Sequence, residues 1–98
     1  MMARYRLTPK ADRDLTQIWR YTNENWGKSQ ANEYLQLLEN RFLMLLRHPK
    51  SGRARDEIRR GYRSLPVENH VIFYRVKDAD IEIVRILHQR MEVNQHVF

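Results

Sequence analysis

Apolar positions in this chain follow two periods, and the change from one to the other divides it into a helical half and a strand half. Ala11, Leu15, Ile18, Trp19, Thr22 and Trp26 recur at helical spacing and share one stripe. Thr8 precedes this run as an N-cap with Pro9 at the first helical position, and Asp12 and Asp14 lie toward the positive end of the dipole. Gly27 can take the left-handed conformation that ends the helix, and Ser29 is placed to cap a second. That second helix carries Ala31, Tyr34, Leu35, Leu38, Phe42, Leu45 and Leu46 on one stripe, so the pattern predicts an antiparallel helical hairpin. Leu37, Leu43 and Met44 widen its apolar surface beyond what one sheet-facing side needs, which marks Leu37 and Met44 as candidate partner contacts. His48-Pro49 stops the helix because the residue before a proline is driven out of the α region.

The rest is strand. Arg4-Tyr5-Arg6-Leu7 alternates and predicts a short N-terminal strand at the sheet edge. Tyr62 to Val67 predicts another, with Pro66 marking an edge or bulge. Val71 to Val76 and Ile81 to Leu87 are dense in β-branched and aromatic residues and predict a hairpin across Lys77-Asp78-Ala79-Asp80. With Val76 opposite Ile81, Arg75 meets Glu82, Tyr74 meets Ile83 and Phe73 meets Val84. One face then holds Val71, Phe73, Val84 and Ile86, the other Ile72, Tyr74, Val76, Ile81, Ile83 and Leu87. Both faces are apolar, so each needs a cover, and a second protein is one candidate. Glu92 to Phe98 has no clear period and predicts a tail with Val93, Val97 and Phe98 free to dock. The fold class is α+β: an N-terminal strand, a helical hairpin, then a three-stranded antiparallel meander, in one domain over residues 1–98. The two tryptophans are expected in the core, since they lie on the first helix's apolar stripe.

Composition narrows the chemistry. With no cysteine, a disulfide scaffold, a thiolate metal site and a cysteine nucleophile are excluded, and a reducing cytoplasm fits. No apolar run approaches the ~18 residues that span a bilayer, so a soluble, membrane-free protein is expected. The formal charge of +6 points to an acidic partner, either nucleic acid or an acidic protein. The densest basic stretch is Arg53 to Arg63, where Arg59, Arg60 and Arg63 are candidate contacts for a target or its bound DNA, against a plain solvated loop. His48, His70, His88 and His96 lack metal-site spacing, so no metal or cofactor is expected. His70 and His88 fall near each other on adjacent strands, an acid and a base in principle, although neither has an orienting carboxylate in the sequence nearby and strand-end histidines account for them. No phosphate loop, nucleophile elbow or paired carboxylates occur, and no catalytic residue is assigned.

An ordered set of segments then resembles the ParE branch of the RelE/ParE toxin superfamily, the toxins of bacterial type II toxin–antitoxin operons. It comprises Leu7-Thr8-Pro9-Lys10-Ala11-Asp12-Arg13-Asp14-Leu15, Tyr21 through Trp26-Gly27, His48-Pro49, Ile58-Arg59-Arg60-Gly61-Tyr62-Arg63 and His70-Val71-Ile72-Phe73-Tyr74-Arg75. The most specific piece is Val84-Arg85-Ile86-Leu87-His88-Gln89-Arg90-Met91. The resemblance implies a helical hairpin on a small sheet, an acidic and partly disordered ParD-type antitoxin bound in a hetero-oligomer, and DNA gyrase as a target poisoned by binding. The alternative it carries is a RelE-type, ribosome-dependent messenger RNA endonuclease. In that alignment one RelE sheet arginine falls at Val67 and the C-terminal tyrosine at His96, whereas Arg90 matches a basic position. His88, Gln89, Arg90 and Met91 leave the sheet as a polar, exposed end and are expected to recognise the target.

Overall fold

The computed structural model describes residues 3–98. Strand β1 (Tyr5–Leu7) leads into α1 (Pro9–Trp26), and α2 (Lys28–Arg47) folds back on it. Then follow β2 (Arg53–Ala54), β3 (Tyr62–Val67), β4 (His70–Lys77), β5 (Asp80–His88) and a 3-10 turn at Gln95–Val97. The sheet has five strands in the order β1-β5-β4-β3-β2. The predicted meander is β3 to β5; β2 is an additional two-residue edge. Because β1 runs parallel to β5, the sheet is mixed, and the chain between the parallel pair runs through the helical hairpin and then β2 to β4.

Local chemistry sets the helix ends. Thr8 Oγ1 accepts the Ala11 N–H at 3.1 Å and donates to Val84 O at 2.8 Å, so one hydroxyl caps α1 and fastens it to β5. Gly27, at φ 94°, is the only residue between the helices. It ends α1 and begins α2, so Ser29 lies inside α2 and is not its cap: the chain reverses within one residue and leaves no room for a separate capping turn.

Ala11, Leu38, Phe42, Leu45, Ile72, Tyr74, Ile81, Ile83 and Ile86 form the main core between the hairpin and the sheet. Burying each large side chain contributes about 1.5–3 kcal/mol. Tyr74 is fully buried yet satisfied, since its Oη accepts from Gly52 N and donates to Pro49 O, both at 2.8 Å. Leu37 and Met44 are half-buried against this core, so the apolar surplus of α2 narrows to Leu43, 48% exposed.

Two expectations fail for one reason. Val76 meets Ile81, Arg75 meets Glu82 and Tyr74 meets Ile83, but Phe73 faces Arg85 and not Val84. Val84 is an extra residue, a bulge, and one inserted residue flips the side of everything after it. Ile86 therefore turns to the helix-side core and Leu87 to the far face, the reverse of strict alternation. That far face needs no second protein, because Ile58 and the tail residues Val93, Val97 and Phe98 close over Tyr62, Phe73, Val84 and Leu87. The Phe98 ring packs edge-on against Tyr62 and Phe73, with centroids 5.4 and 5.1 Å away.

Candidate functional site: a groove walled by two histidines

The bulge has a second consequence. It advances the register by one residue, so His70, at the start of β4, stands directly opposite His88, at the end of β5. Their rings meet edge to face with centroids 5.4 Å apart. They form part of the wall of a groove of about 550 Å³ between the helical hairpin and this end of the sheet. Tyr34 from α2, Asn69 from the β3–β4 turn, Tyr21 and Trp26 from α1, and Met91 are also part of its lining.

Each ring is oriented. His70 Nδ1 lies 2.6 Å from Tyr34 Oη, which is 3.3 Å from Val67 O. His88 Nδ1 accepts the Arg90 N–H at 3.1 Å, which places its own proton on Nε2 when the ring is neutral. Burial, then repulsion from His88, lowers the pKa of His70 below the ordinary histidine value, against a smaller opposing effect of Asp14. Burial raises the pKa of Tyr34, so its hydroxyl stays protonated at neutral pH.

Deeper in the groove, Arg85 forks onto Asp14. Its Nε and Nη2 donate to the two carboxylate oxygens at 2.7 and 2.8 Å, and Nη1 donates to Val97 O. The same carboxylate takes the Ile86 N–H at 3.0 Å. Strand β1 pairs β5 only as far as Ile83, and Asp14 supplies the acceptor that a longer β1 would have given. Arg85 is thus neutralised and held.

The groove rim is apolar and open: Tyr21, Trp26 and Met91 are 61, 59 and 45% exposed. Trp26 is therefore not a core residue. It closes the last turn of α1, on the apolar stripe but exposed, and packs on Tyr21 at 6.0 Å. Trp19 is half-buried and bonds Asn32 through Nε1 at 2.9 Å.

The expected recognition segment His88-Gln89-Arg90-Met91 sits at this rim as an exposed turn, closed by Met91 N–H to His88 O at 2.9 Å and tied to the neighbouring turn by Gln89 N–H to Asn69 O at 2.8 Å. Leu37 borders a smaller depression of about 340 Å³ that shares Gln30, Tyr34 and Asn69 with the groove. The basic group lies elsewhere. Arg59, Arg60 and Arg63 sit around the start of β3, whereas the groove lies past its end, so the two sets are not brought together. Arg63 is engaged by Gly52 O at 2.8 Å, and the Arg59 guanidinium stands 5.8 Å from the centre of the Tyr62 ring. Among the described residues no three His, Cys, Asp or Glu are gathered to hold a metal ion, and no helix is long and apolar enough to cross a membrane.

Residues 5–93 match the family model described as the ParE toxin of type II toxin–antitoxin systems, parDE. The chain belongs to the ParE toxin family. It is 44% identical to Toxin ParE1 of Mycobacterium tuberculosis over 98 residues, 99% of this chain and all of that one. Toxin ParE1 of Caulobacter vibrioides is 40% identical over 98% of this chain and 99% of its own length. Among solved structures, a chain of the chromosomal ParDE TA system from P. aeruginosa superposes with a TM-score of 0.75 at 28% identity, covering 90% of this chain and 96% of that one. In this chain the parallel β1–β5 pair places α1 over the end of β5, and the hairpin brings Tyr34 down onto β4.

Asp14, Arg85, Tyr34 and the exposed Trp26 were not singled out from the sequence as site residues. A signal existed for one pair. Asp14 lies between Ala11 and Ile18 on the buried stripe of α1, and Arg85 interrupts an otherwise apolar strand; each demands the other.

Proposed function

We propose that this ParE-family chain is the toxin half of a ParDE pair, that it acts in the cytoplasm by binding DNA gyrase and trapping it with cleaved DNA, and that a ParD-type antitoxin neutralises it. The observation that carries the binding reading is the Arg85–Asp14 fork. A metal-free ribonuclease must aim a cation at the developing phosphorane, and Arg85, the arginine that lines this groove, is already matched by a carboxylate. What the groove offers is an apolar, aromatic rim, the kind of surface on which interface energy concentrates. A binding poison needs only a surface that fits one state of its target. His88, Gln89, Arg90 and Met91, with Leu37 and Met44 on α2, are the contacts assigned to target or antitoxin. Arg59 and Arg60 add electrostatic contacts to gyrase-bound DNA, so inhibition weakens with salt. An acidic antitoxin complements the charge of +6.

One observation favours the ribosome-dependent ribonuclease: two imidazoles and a phenol gathered in one groove are an acid–base set in kind. The deciding experiment adds purified protein to a gyrase supercoiling and cleavage assay and, in parallel, to ribosomes translating a defined message. Accumulated cleaved DNA with intact message is the expected result. Codon-positioned message cleavage with unaffected supercoiling overturns it.

A further inference from the structure

The turn that presents Arg90 and Met91 is closed by three bonds, and one of them runs to a titratable ring. Gln89 N–H goes to Asn69 O and Met91 N–H to His88 O, both backbone acceptors that pH leaves alone. The Arg90 N–H goes to His88 Nδ1. This is the geometry of an Asx turn, in which a side chain accepts the backbone N–H two residues on, with an imidazole nitrogen in place of a carboxamide oxygen. A neutral imidazole has one accepting nitrogen; an imidazolium has none, and both of its nitrogens donate. Adding one proton at Nδ1 therefore removes the acceptor and sets an N–H against the Arg90 N–H.

We propose that His88 is a pH-operated latch on one bond: its neutral ring holds the Arg90 N–H, and protonation of the ring frees that N–H at the rim of the groove.

Facing the His88 ring across the strands is His70, half-buried on β4 and bonded through Nδ1 to Tyr34 of α2. The other charged groups sharing the groove are Asp14 of α1 and Arg85 of β5, which neutralise one another, with Arg90 and Glu92 beyond in the chain itself. Desolvation, and then the charge of His88, hold His70 below its ordinary pKa. Once the ring is charged the Arg90 N–H loses its acceptor, while the Met91 N–H to His88 O and Gln89 N–H to Asn69 O bonds still hold the ends of the turn. The functional weight of this release rests on the recognition role assigned to Arg90 and Met91; the latch itself does not, and it stands or falls in the free chain.

The test follows the backbone amides of Arg90 and Met91 and the ring protons of His70 and His88 by NMR in the full chain, from about pH 8 to about pH 5. In the wild type the Arg90 amide shift is expected to track the His88 ring, and its exchange protection factor to drop by about tenfold once that ring is charged. The variant His88→Asn keeps an acceptor that does not titrate, so its residue-90 amide stays protected throughout, whereas His88→Ala is unprotected throughout. An Arg90 amide indifferent to the His88 titration, or one that titrates identically in His88→Asn, overturns the proposal. Should His88→Ala fail to fold, the wild type and His88→Asn decide the matter alone. A gyrase result of either kind leaves this measurement unaffected.

Discussion

Removing the Asp14 carboxylate is the most informative single perturbation of the fold. Its side chain accepts three hydrogen bonds, two from the Arg85 guanidinium and one from the Ile86 N–H, at 2.7 to 3.0 Å, and is 9% exposed against 17% for Arg85. Breaking a buried pair by deleting one partner costs about 3–5 kcal/mol, because a desolvated charge is left behind. An orphaned backbone N–H costs about 1–3 kcal/mol. The two overlap, and water can reach part of the guanidinium, so Asp14→Ala is expected to lose about 3–5 kcal/mol. At about 4–8 °C per kcal/mol for a domain near this size, the melting temperature falls by roughly 12–40 °C. Asp14→Asn keeps one acceptor oxygen for the Ile86 N–H and the Arg85 Nε–H but turns a donor toward Arg85 Nη2 and removes the counter-charge. Its loss is therefore expected to be smaller than that of Asp14→Ala only by the about 1–3 kcal/mol that the retained acceptor contributes. The double variant Asp14→Leu/Arg85→Met removes both charges and is expected to be more stable than Asp14→Ala by at least about 1 kcal/mol. Urea unfolding followed by far-UV circular dichroism and tryptophan fluorescence reads all three. An Asp14→Ala variant within about 1 kcal/mol of wild type, or a double variant worse than the single, refutes the assignment of Asp14 as both counter-ion and strand-edge acceptor.

Tyr74→Phe leaves Gly52 N–H and Pro49 O without their buried partner and is expected to cost about 1–3 kcal/mol, measured by the same unfolding curves. Gly52→Ala is expected to cost as much or more, since its Cβ meets Tyr74 Oη at 2.6 Å and Ser64 O at 2.8 Å. His70 titrates below 6.5 in the folded state and near 6.5 in the unfolded chain, so the unfolded state binds the extra proton in that window. The contribution of His70 is complete above that value and declines as pH drops through it, and stability of His70→Gln plotted against pH should lack that slope. Trp26→Ala removes an exposed ring and is expected to change stability by no more than about 0.5 kcal/mol, while weakening antitoxin capture by tenfold or more in a binding titration.

Patterning alone made most of this fold legible, because its helices and strands bury one face each and announce their period. The Thr8 cap, the Gly27 reversal, the His48-Pro49 stop and the docked tail all follow from single residues whose chemistry is local. What stayed hidden is one extra residue. Nothing in Ile83-Val84-Arg85-Ile86 distinguishes a regular strand from a bulged one, since either face accepts a branched apolar side chain. Yet the bulge at Val84 decides which of Ile86 and Leu87 meets the helices, and it brings His88 level with His70. It also coincides with the end of β1 pairing, where Thr8 takes Val84 O and Asp14 takes the Ile86 N–H. Backbone groups of β5 that β1 no longer reaches need partners, and here the cap residue Thr8 and Asp14 in the second turn of α1 supply them. The site is therefore tied to the helix start at the same irregularity that shapes it. For that reason Thr8, Asp14 and Arg85, none of which forms the rim, are expected to govern the orientation of His88 and the turn beyond it.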